Sequence, residues 1–402
     1  MGRPSRVRVT GPLAPHAAGF GQDLAGQGYT PHSASYQLQL MAHASRWLAS
    51  RGLGVEELTA VNVEAFLEQR RAEGYRLWLS AKAMAPMLGY LRGLGVVATP
   101  AATVPVTPAA ELQQRYRAYL IHERGLADST VAGYLHVARL FLAGRVAEDV
   151  VAVERLCSAE VTAFVLAECA ARSVGSAKYI VCGLRALLRY LYVAGHTDIQ
   201  LPAAVPAVAG WRCAAVPATV GPAEVACLLA SCDRRTTSGR RDYAVLALLA
   251  RLGLRAGEVA ALELADVDWR AGEITVRGKG RRQERLPLPV DVGEALAGWL
   301  RRGRRRCACV TVFTRVRAPH RPLSRGGVSA IVRAACGRAG LPELGAHRLR
   351  HTAATDMLRA GASLSEVGQV LRHTSTVTTA VYAKVDTERL RSLALRWPGT
   401  AS

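Results

Sequence analysis

The sequence predicts a multidomain protein, with all-α helical domains in its N-terminal half followed by a mixed α/β domain, mainly α with a small antiparallel sheet. Three observations lead there. The chain has 402 residues, half of them hydrophobic, which is too much for a single core and enough for two or three. Two stretches rich in Pro, Ala, Val and Thr interrupt it, 97–110 (Pro100, Pro105, Pro108) and 201–222 (Pro202, Pro206, Pro217, Pro222). Proline fixes φ and removes a backbone donor, so both read as extended linkers. Finally, apolar residues keep a helical period before the second stretch, whereas a short segment after it alternates with period two.

The elements follow in order. In 1–96 a helical run opens at Tyr36. In 111–200, Thr130 to Ala143 carries Val131, Tyr134, Leu135, Ala138 and Phe141 at helical spacing behind an N-cap candidate, Asp128 or Ser129. Val181 to Val193 is a second striped helix. The first region echoes the second. Ala65-Phe66 matches Ala163-Phe164, Ser80-Ala81-Lys82 matches Ser176-Ala177-Lys178, and Tyr36 matches Tyr134 at nearly constant offset. A duplicated helical domain is one reading, and two unrelated bundles with chance matches the other.

In 223–402, Asp242 to Leu254 reads as a helix leading into Arg255. Glu273–Arg277 and Glu284–Leu288 alternate as strands of a β-hairpin whose tip is Gly278-Lys279-Gly280-Arg281-Arg282. Gly345–Arg359 and Leu364–Arg372 read as helices, Val377–Ala383 carries Tyr382, and Asp386–Leu395 is a final helix.

The formal net charge is +21, which points to a polyanionic partner through counterion release. Codon bias explains why Arg outnumbers Lys but not the excess over acids. The charge is uneven: residues 206–402 hold 32 basic against 16 acidic residues, and residues 1–205 hold 20 against 15. No basic amphipathic helix with a strong apolar face suggests a membrane surface. The richest apolar stretch, Tyr243 to Leu254, is broken by Arg251 and too short to span a bilayer. The N-terminus lacks an apolar signal core. Nine cysteines, none in a C-x-x-C pair, sit mostly in apolar runs and read as small hydrophobes of a reduced, intracellular protein.

The chemistry-bearing residues form an ordered set. Arg255 lies in Gly253-Leu254-Arg255-Ala256-Gly257-Glu258, Lys279 at the hairpin tip, His347 and Arg350 in His347-Arg348-Leu349-Arg350-His351, and His373 nine residues before Tyr382. A phenol among cations suits attack on a phosphodiester, where catalysis is positioning plus electrostatic stabilisation. Arginine's fork binds two phosphate oxygens and keeps its charge, which makes Arg255 and Arg350 candidates for the clamp. Glu258 reads as a brace for the local turn. Flanking glycines let the backbone at Lys279 approach a ligand, and this lysine can protonate a departing 5′-oxygen. Arg277, Arg281 and Arg282 tend to lower its pKa. The bland reading of Lys279 is a solvated turn. His347 and His351, at i and i+4, could hold zinc, but Arg348 and Arg350 repel a cation. A P-loop is absent, and no acidic cluster suggests a metal-dependent nuclease.

Over residues 106–402 this set resembles the tyrosine recombinase (phage integrase) family. The resemblance implies a helical core-binding (SAM-like) domain at 111–200 and a catalytic domain at 223–402 that clamp double-stranded DNA. Residues 1–96 would be an additional, core-binding-like helical domain. It further implies that Tyr382 is the nucleophile forming a 3′-phosphotyrosyl bond, that Arg255 and Arg350 grip the phosphate, that His347 assists proton transfer and that His373 bonds the scissile phosphate, with Lys279 as acid. No cofactor and no metal are expected. Arg277, Arg281, Arg282 and Lys178 are expected DNA contacts. His351 has no assigned role. Partners implied are DNA and further copies of the chain in a cyclic tetramer on two sites, with a partner recombinase or accessory DNA-bending proteins, in a cytoplasmic, nucleoid-associated setting. The reaction implied is site-specific recombination: integration, excision or resolution, as on a mobile element. Type IB topoisomerase-like relaxation and a catalytically inactive DNA-binding regulator are the alternatives. One departure stands out: the family usually has Leu-Gly-His where this chain has Leu371-Arg372-His373, so an arginine there needs room or adds a phosphate contact.

Overall fold

The computed structural model describes residues 7–99, 107–147, 150–151, 153–209, 219–278, 283–305, 307–372, 379 and 382. The chain divides into two compact units, 100–214, and 1–99 together with 215–402.

Among the described residues, 7–99 hold four α-helices, α1 (Ala17–Gly26), α2 (Pro31–Ser50), α3 (Ala60–Ala72) and α4 (Ala81–Gly93), after a 3₁₀ turn over Ala14–His16. Thr30 and Thr59 cap α2 and α3 by accepting from Ser33 N and Asn62 N, each satisfying an otherwise orphaned donor. The apolar faces meet around Leu13, Phe20, Met41, Trp47, Phe66 and Leu91. His320 N donates to Gln27 O at 3.1 Å, joining this bundle to the C-terminal part of the same unit.

The 100–214 unit repeats the pattern with α5 (Pro108–Ala118), α6 (Asp128–Ala143), α7 (Ser158–Cys169) and α8 (Val174–Val193), plus the two-residue strands β1 (Val146–Ala147) and β2 (Val150–Val151). In α8 the residues Ala177, Ile180, Val181, Leu184, Leu187, Leu188 and Leu191 are buried, the i, i+3, i+4, i+7 stripe of a core-facing helix. Helix α6 has Ala127 as its N-cap residue, and Asp128, an expected cap, lies in its first turn, where a carboxylate favours the helix dipole.

Both expected linkers overlap folded elements at their ends. Val97 is buried in the first bundle, and α5 starts at Pro108 behind Thr107, whose hydroxyl accepts from Ala110 N. Leu201 and Val205 are buried in the second core, with a 3₁₀ turn over Leu201–Ala204. Pro222 opens α9 (Pro222–Ala230). Proline at the first helical position loses no helix bond and arrives with a helical φ, so it starts these helices rather than excluding them.

The C-terminal part packs α9, α10 (Thr237–Arg251), α11 (Ala256–Ala261), α12 (Val290–Arg302), α13 (Arg325–Ala339), α14 (Ala346–Arg359) and α15 (Leu364–Val370) beside a sheet of β3 (Val267–Asp268), β4 (Glu273–Arg277) and β5 (Gln283–Pro287). The order is β3-β4-β5, antiparallel throughout, with Ile274 opposite Val267 and Leu286. The β4–β5 hairpin matches the alternation seen in the sequence, with β5 one residue earlier. Its tip, Lys279 to Arg282, lies outside the described residues, as does His373. The core gathers Trp299, Phe313, Leu248 and Val332, and Trp299 Nε1 donates to Val312 O at 2.9 Å, meeting the indole's need for a buried acceptor.

Candidate active site

The geometry begins at Gly253. Its φ of +58° ends α10 and turns the chain toward Arg255. This is the left-handed region, where glycine carries no Cβ penalty. A Cβ here would sit 2.7 Å from Leu371 Cδ2 and 3.4 Å from Ala353 Cβ. The bare backbone therefore lets α14 come close, and Arg350 Nη1 donates to Gly253 O at 2.6 Å. Arg350 Nη2 donates to Leu371 O. The arginine is 1 % exposed. Burial, then neighbouring Arg255, lower its pKa to about 10, against the favourable pull of Glu258, so it stays a cation at neutral pH.

Arg255 is the N-cap residue of α11. Its backbone N donates to Glu258 Oε2 at 2.8 Å and its Nη1 to Glu258 Oε1 at 2.6 Å. Glu258 is the expected brace, and it holds more than the turn. Arg372 Nη2 donates to the same Oε2 at 2.8 Å. Burial pushes the Glu258 pKa up, but Arg372, then the bonds from Arg255, outweigh it and hold the carboxyl below its ordinary value.

Along α14, His347 and His351 share a face, their rings 4.4 Å apart at 72°, as i and i+4 spacing dictates. Burial, then Arg350 and Arg255, lower the His347 pKa. Burial, then His347 and Arg350, lower that of His351 to about 4. His351 is therefore a neutral imidazole at pH 7. Its Nδ1 lies 2.7 Å from the hydroxyl of Tyr382. Tyr382 is 1 % exposed and packs with Ala354, Leu358, Val367 and Leu371. Burial raises its pKa, while the fields of Arg350 and Arg255 lower it.

An open cleft of about 720 Å³ borders the site, lined by Arg255, Glu258, Arg277, Gly278, Arg325 and His347. The fold thus gathers Arg255, His347, Arg350 and Tyr382 from three segments of the chain, with His347 and Arg350 together on α14. Arg255 and His347 face the cleft, whereas Arg350 and Tyr382 lie in the protein behind it. Lys279 follows directly on cleft-lining Gly278 but, like Arg281, Arg282 and His373, falls outside the described residues. Arg277 is engaged within the protein: its guanidinium pairs with Glu263 at 3.1 Å and Asp266 at 2.8 Å, which takes up donors expected for DNA. Lys178 is half-buried on α8, in the other unit. One residue here, Arg325, carries no sequence motif, and two others, His351 and Arg372, take roles the sequence leaves open. Arg325 enters the cleft from the start of α13, His351 meets the tyrosine, and Arg372 is buried. The His-x-x-Arg-His spacing marks His351 and the departure at Leu371-Arg372-His373 marks Arg372, whereas Arg325 carries no such signal.

Comparison with known proteins places the chain in a family. Residues 219–389 match the model of the phage integrase family. The putative integrase/recombinase y4rA of Sinorhizobium fredii is 41 % identical over 396 residues, 97 % of this chain and 96 % of that protein. The chain belongs to the phage integrase family of tyrosine recombinases. Family likeness extends to tyrosine recombinase XerC of Bifidobacterium longum, 37 % identical over 168 residues, 40 % of this chain and 47 % of that one. Among solved structures, the XerH site-specific recombinase bound to a palindromic difH substrate aligns with TM-score 0.56 and 17 % identity, over 82 % of this chain and 93 % of that one. A lambda integrase dimer bound to a COC′ core site gives TM-score 0.54 and 18 % identity, over 79 % and 89 %. These two likenesses speak for the fold. Among the described residues no helix is long and apolar enough to cross a membrane.

Proposed function

We propose that this site-specific DNA recombinase cleaves and rejoins double-stranded DNA with Tyr382 as nucleophile. The observation that carries the reading is the Tyr382 hydroxyl lying 2.7 Å from His351 Nδ1 on the helix that also holds His347 and Arg350. With its proton on Nε2, His351 accepts the phenolic proton at Nδ1, leaving a lone pair of the tyrosine oxygen for phosphorus. The Tyr382 oxygen–phosphorus bond forms as the bond from phosphorus to the 5′-oxygen breaks. The 5′-oxygen takes a proton from Lys279, and a 3′-phosphotyrosyl link stores the bond for religation. Arg255 faces the charge that builds on the non-bridging oxygens from the cleft, and Arg350, 1 % exposed, adds its positive field from behind until DNA entry opens access to it, with His347 and His373 completing the phosphate contacts. At 1 % exposure Tyr382 cannot meet a phosphate in line, so DNA entry must open access to it.

Residues 111–200 act as the core-binding domain and 223–402 as the catalytic domain, with Lys178, Arg281 and Arg282 as DNA contacts. Arg277 reaches DNA only by giving up a carboxylate. Several DNA-bound recombinases share the fold, one of them a lambda integrase tetramer on a Holliday junction, which supports a homotetramer on two sites. Residues 1–96 are proposed as a second copy of the core-binding fold. Helices α2, α3 and α4 begin at residues 31, 60 and 81, and α6, α7 and α8 at 128, 158 and 174. Ala65-Phe66 and Ala163-Phe164 hold the same places in α3 and α7, but Ser80 precedes α4 whereas Ser176 lies inside α8.

The test is covalent capture on nicked duplexes from a random-sequence library. The wild-type chain is expected to become attached to a subset of duplexes, and Tyr382→Phe to bind them without attachment. Covalent attachment of Tyr382→Phe would remove the tyrosine from its role. Relaxation of a single plasmid without synapsis would point to topoisomerase activity instead.

A further inference from the structure

We infer that Arg372 is a positioning residue that sets the catalytic Arg255 through Glu258 and ties the tyrosine-bearing segment to it. The inference rests on the recombinase reading of the same site.

Arg372 adopts a φ of +56°, a conformation rare for residues with a Cβ and held only where surroundings over-determine it. What over-determines it is its guanidinium. The side chain is 3 % exposed and bonded to Glu258 Oε2 at 2.8 Å, against a carboxylate side chain 5 % exposed. Nη1 donates to Val370 O at 3.0 Å. The same carboxylate holds Arg255 by backbone and guanidinium together. Glu258 therefore has one oxygen on Arg255 Nη1 and shares the other between Arg255 N and Arg372. Next door, the carbonyl of Leu371 is taken by Arg350. The turn after α15 is thus fastened to both candidate phosphate-binding arginines, one residue before His373 and ten before Tyr382.

Two consequences follow from the charge count. A lone Glu258 against Arg255 would be fully neutralised by it. With Arg372 sharing the carboxylate, two guanidiniums bond one carboxylate, and the surplus positive charge remains beside the cleft. Arg372 also fixes the rotamer of Glu258, hence the direction in which the half-exposed Arg255 presents its fork. Its own burial keeps it from touching DNA, so it acts through Arg255 rather than on phosphate.

The experiment compares wild type, Arg372→Gly and Arg372→Lys as full chains, on a duplex first selected by covalent capture on the wild-type protein. Each duplex is made with phosphate or with a methylphosphonate at the cleaved position, which removes one charged oxygen. Because misplacing a clamp residue by about 1 Å costs up to ~100-fold, Arg372→Gly is expected to slow covalent capture about 10- to 100-fold with unchanged DNA affinity. On the methylphosphonate, where a guanidinium has less charge to neutralise, the deficit should shrink to about threefold or less. Arg372→Lys, which keeps the charge, should recover part of the rate and serves should the glycine variant fold poorly. A wild-type rate for Arg372→Gly, or an equal deficit for the variants on both substrates, would overturn the proposal. Failure of the wild-type chain to capture any duplex would overturn the recombinase reading itself.

Discussion

The hydroxyl of Tyr382 sits 2.7 Å from Nδ1 of His351, a histidine the surroundings hold neutral. The contact joins two residues 31 positions apart and supplies the phenol with a proton acceptor inside the protein. Replacing His351 by Phe fills the same space without a basic nitrogen. General acid–base partners contribute about 10²- to 10⁴-fold, so His351→Phe should slow covalent capture by about 100-fold or more while DNA affinity stays within about twofold. A rate equal to wild type would reduce the contact to packing.

The same histidines make stability depend on pH. His351 titrates near 4 in the folded chain and near 6.5 when unfolded, and His347 is lowered too. Between these values the unfolded chain binds more protons, so stability rises with pH. The contribution is fully present above about 6.5 and is lost as pH falls from there toward about 4. Melting temperatures measured across this window should fall on acidification, and fall less for His351→Phe. An equal slope for the two proteins would contradict the shift.

Gly253 and Arg255 are linked by backbone geometry. Gly253→Ala places a Cβ at a φ of +58° and 2.7 Å from Leu371 Cδ2. The left-handed conformation alone costs about 1–2 kcal/mol, and the Leu371 contact adds to it. Urea denaturation should show a loss of that size or more, together with slower cleavage because Arg255 lies two residues on. Unchanged stability would show that the turn relaxes freely.

Arg350 and Arg255 should separate folding from chemistry. Arg350→Ala strips partners from two buried carbonyls, those of Gly253 and Leu371, at about 1–3 kcal/mol each. Arg255 is half-exposed, and without it Glu258 keeps its bond to Arg372. Arg255→Ala should therefore lower the melting temperature far less than Arg350→Ala, although both abolish cleavage. Equal losses of stability would mean that Arg350 is not the pillar its burial indicates.

DNA affinity should fall steeply with salt. The C-terminal half carries twice as many basic as acidic residues, and about six phosphate contacts would cost ~10³ in affinity between 50 and 200 mM salt. A flat dependence measured by anisotropy would exclude a basic clamp.

The helical bundles, the β-hairpin and the ordered candidates Arg255, His347, Arg350 and Tyr382 are legible in the sequence. Each is written in local periodicity or in residue types whose chemistry is specific wherever they lie. Proline opens α5 and α9 where the pattern suggests linkers, since the same fixed φ serves an extended linker and a first helical turn. Tertiary packing alone sets His351 against Tyr382, Arg277 against Glu263 and Asp266, and Arg372, buried, against Glu258. The physical reason is common to all three. A charged or polar side chain takes its role from the partner that satisfies it after burial, and Arg372 and Glu258 stand 114 residues apart, beyond any local pattern.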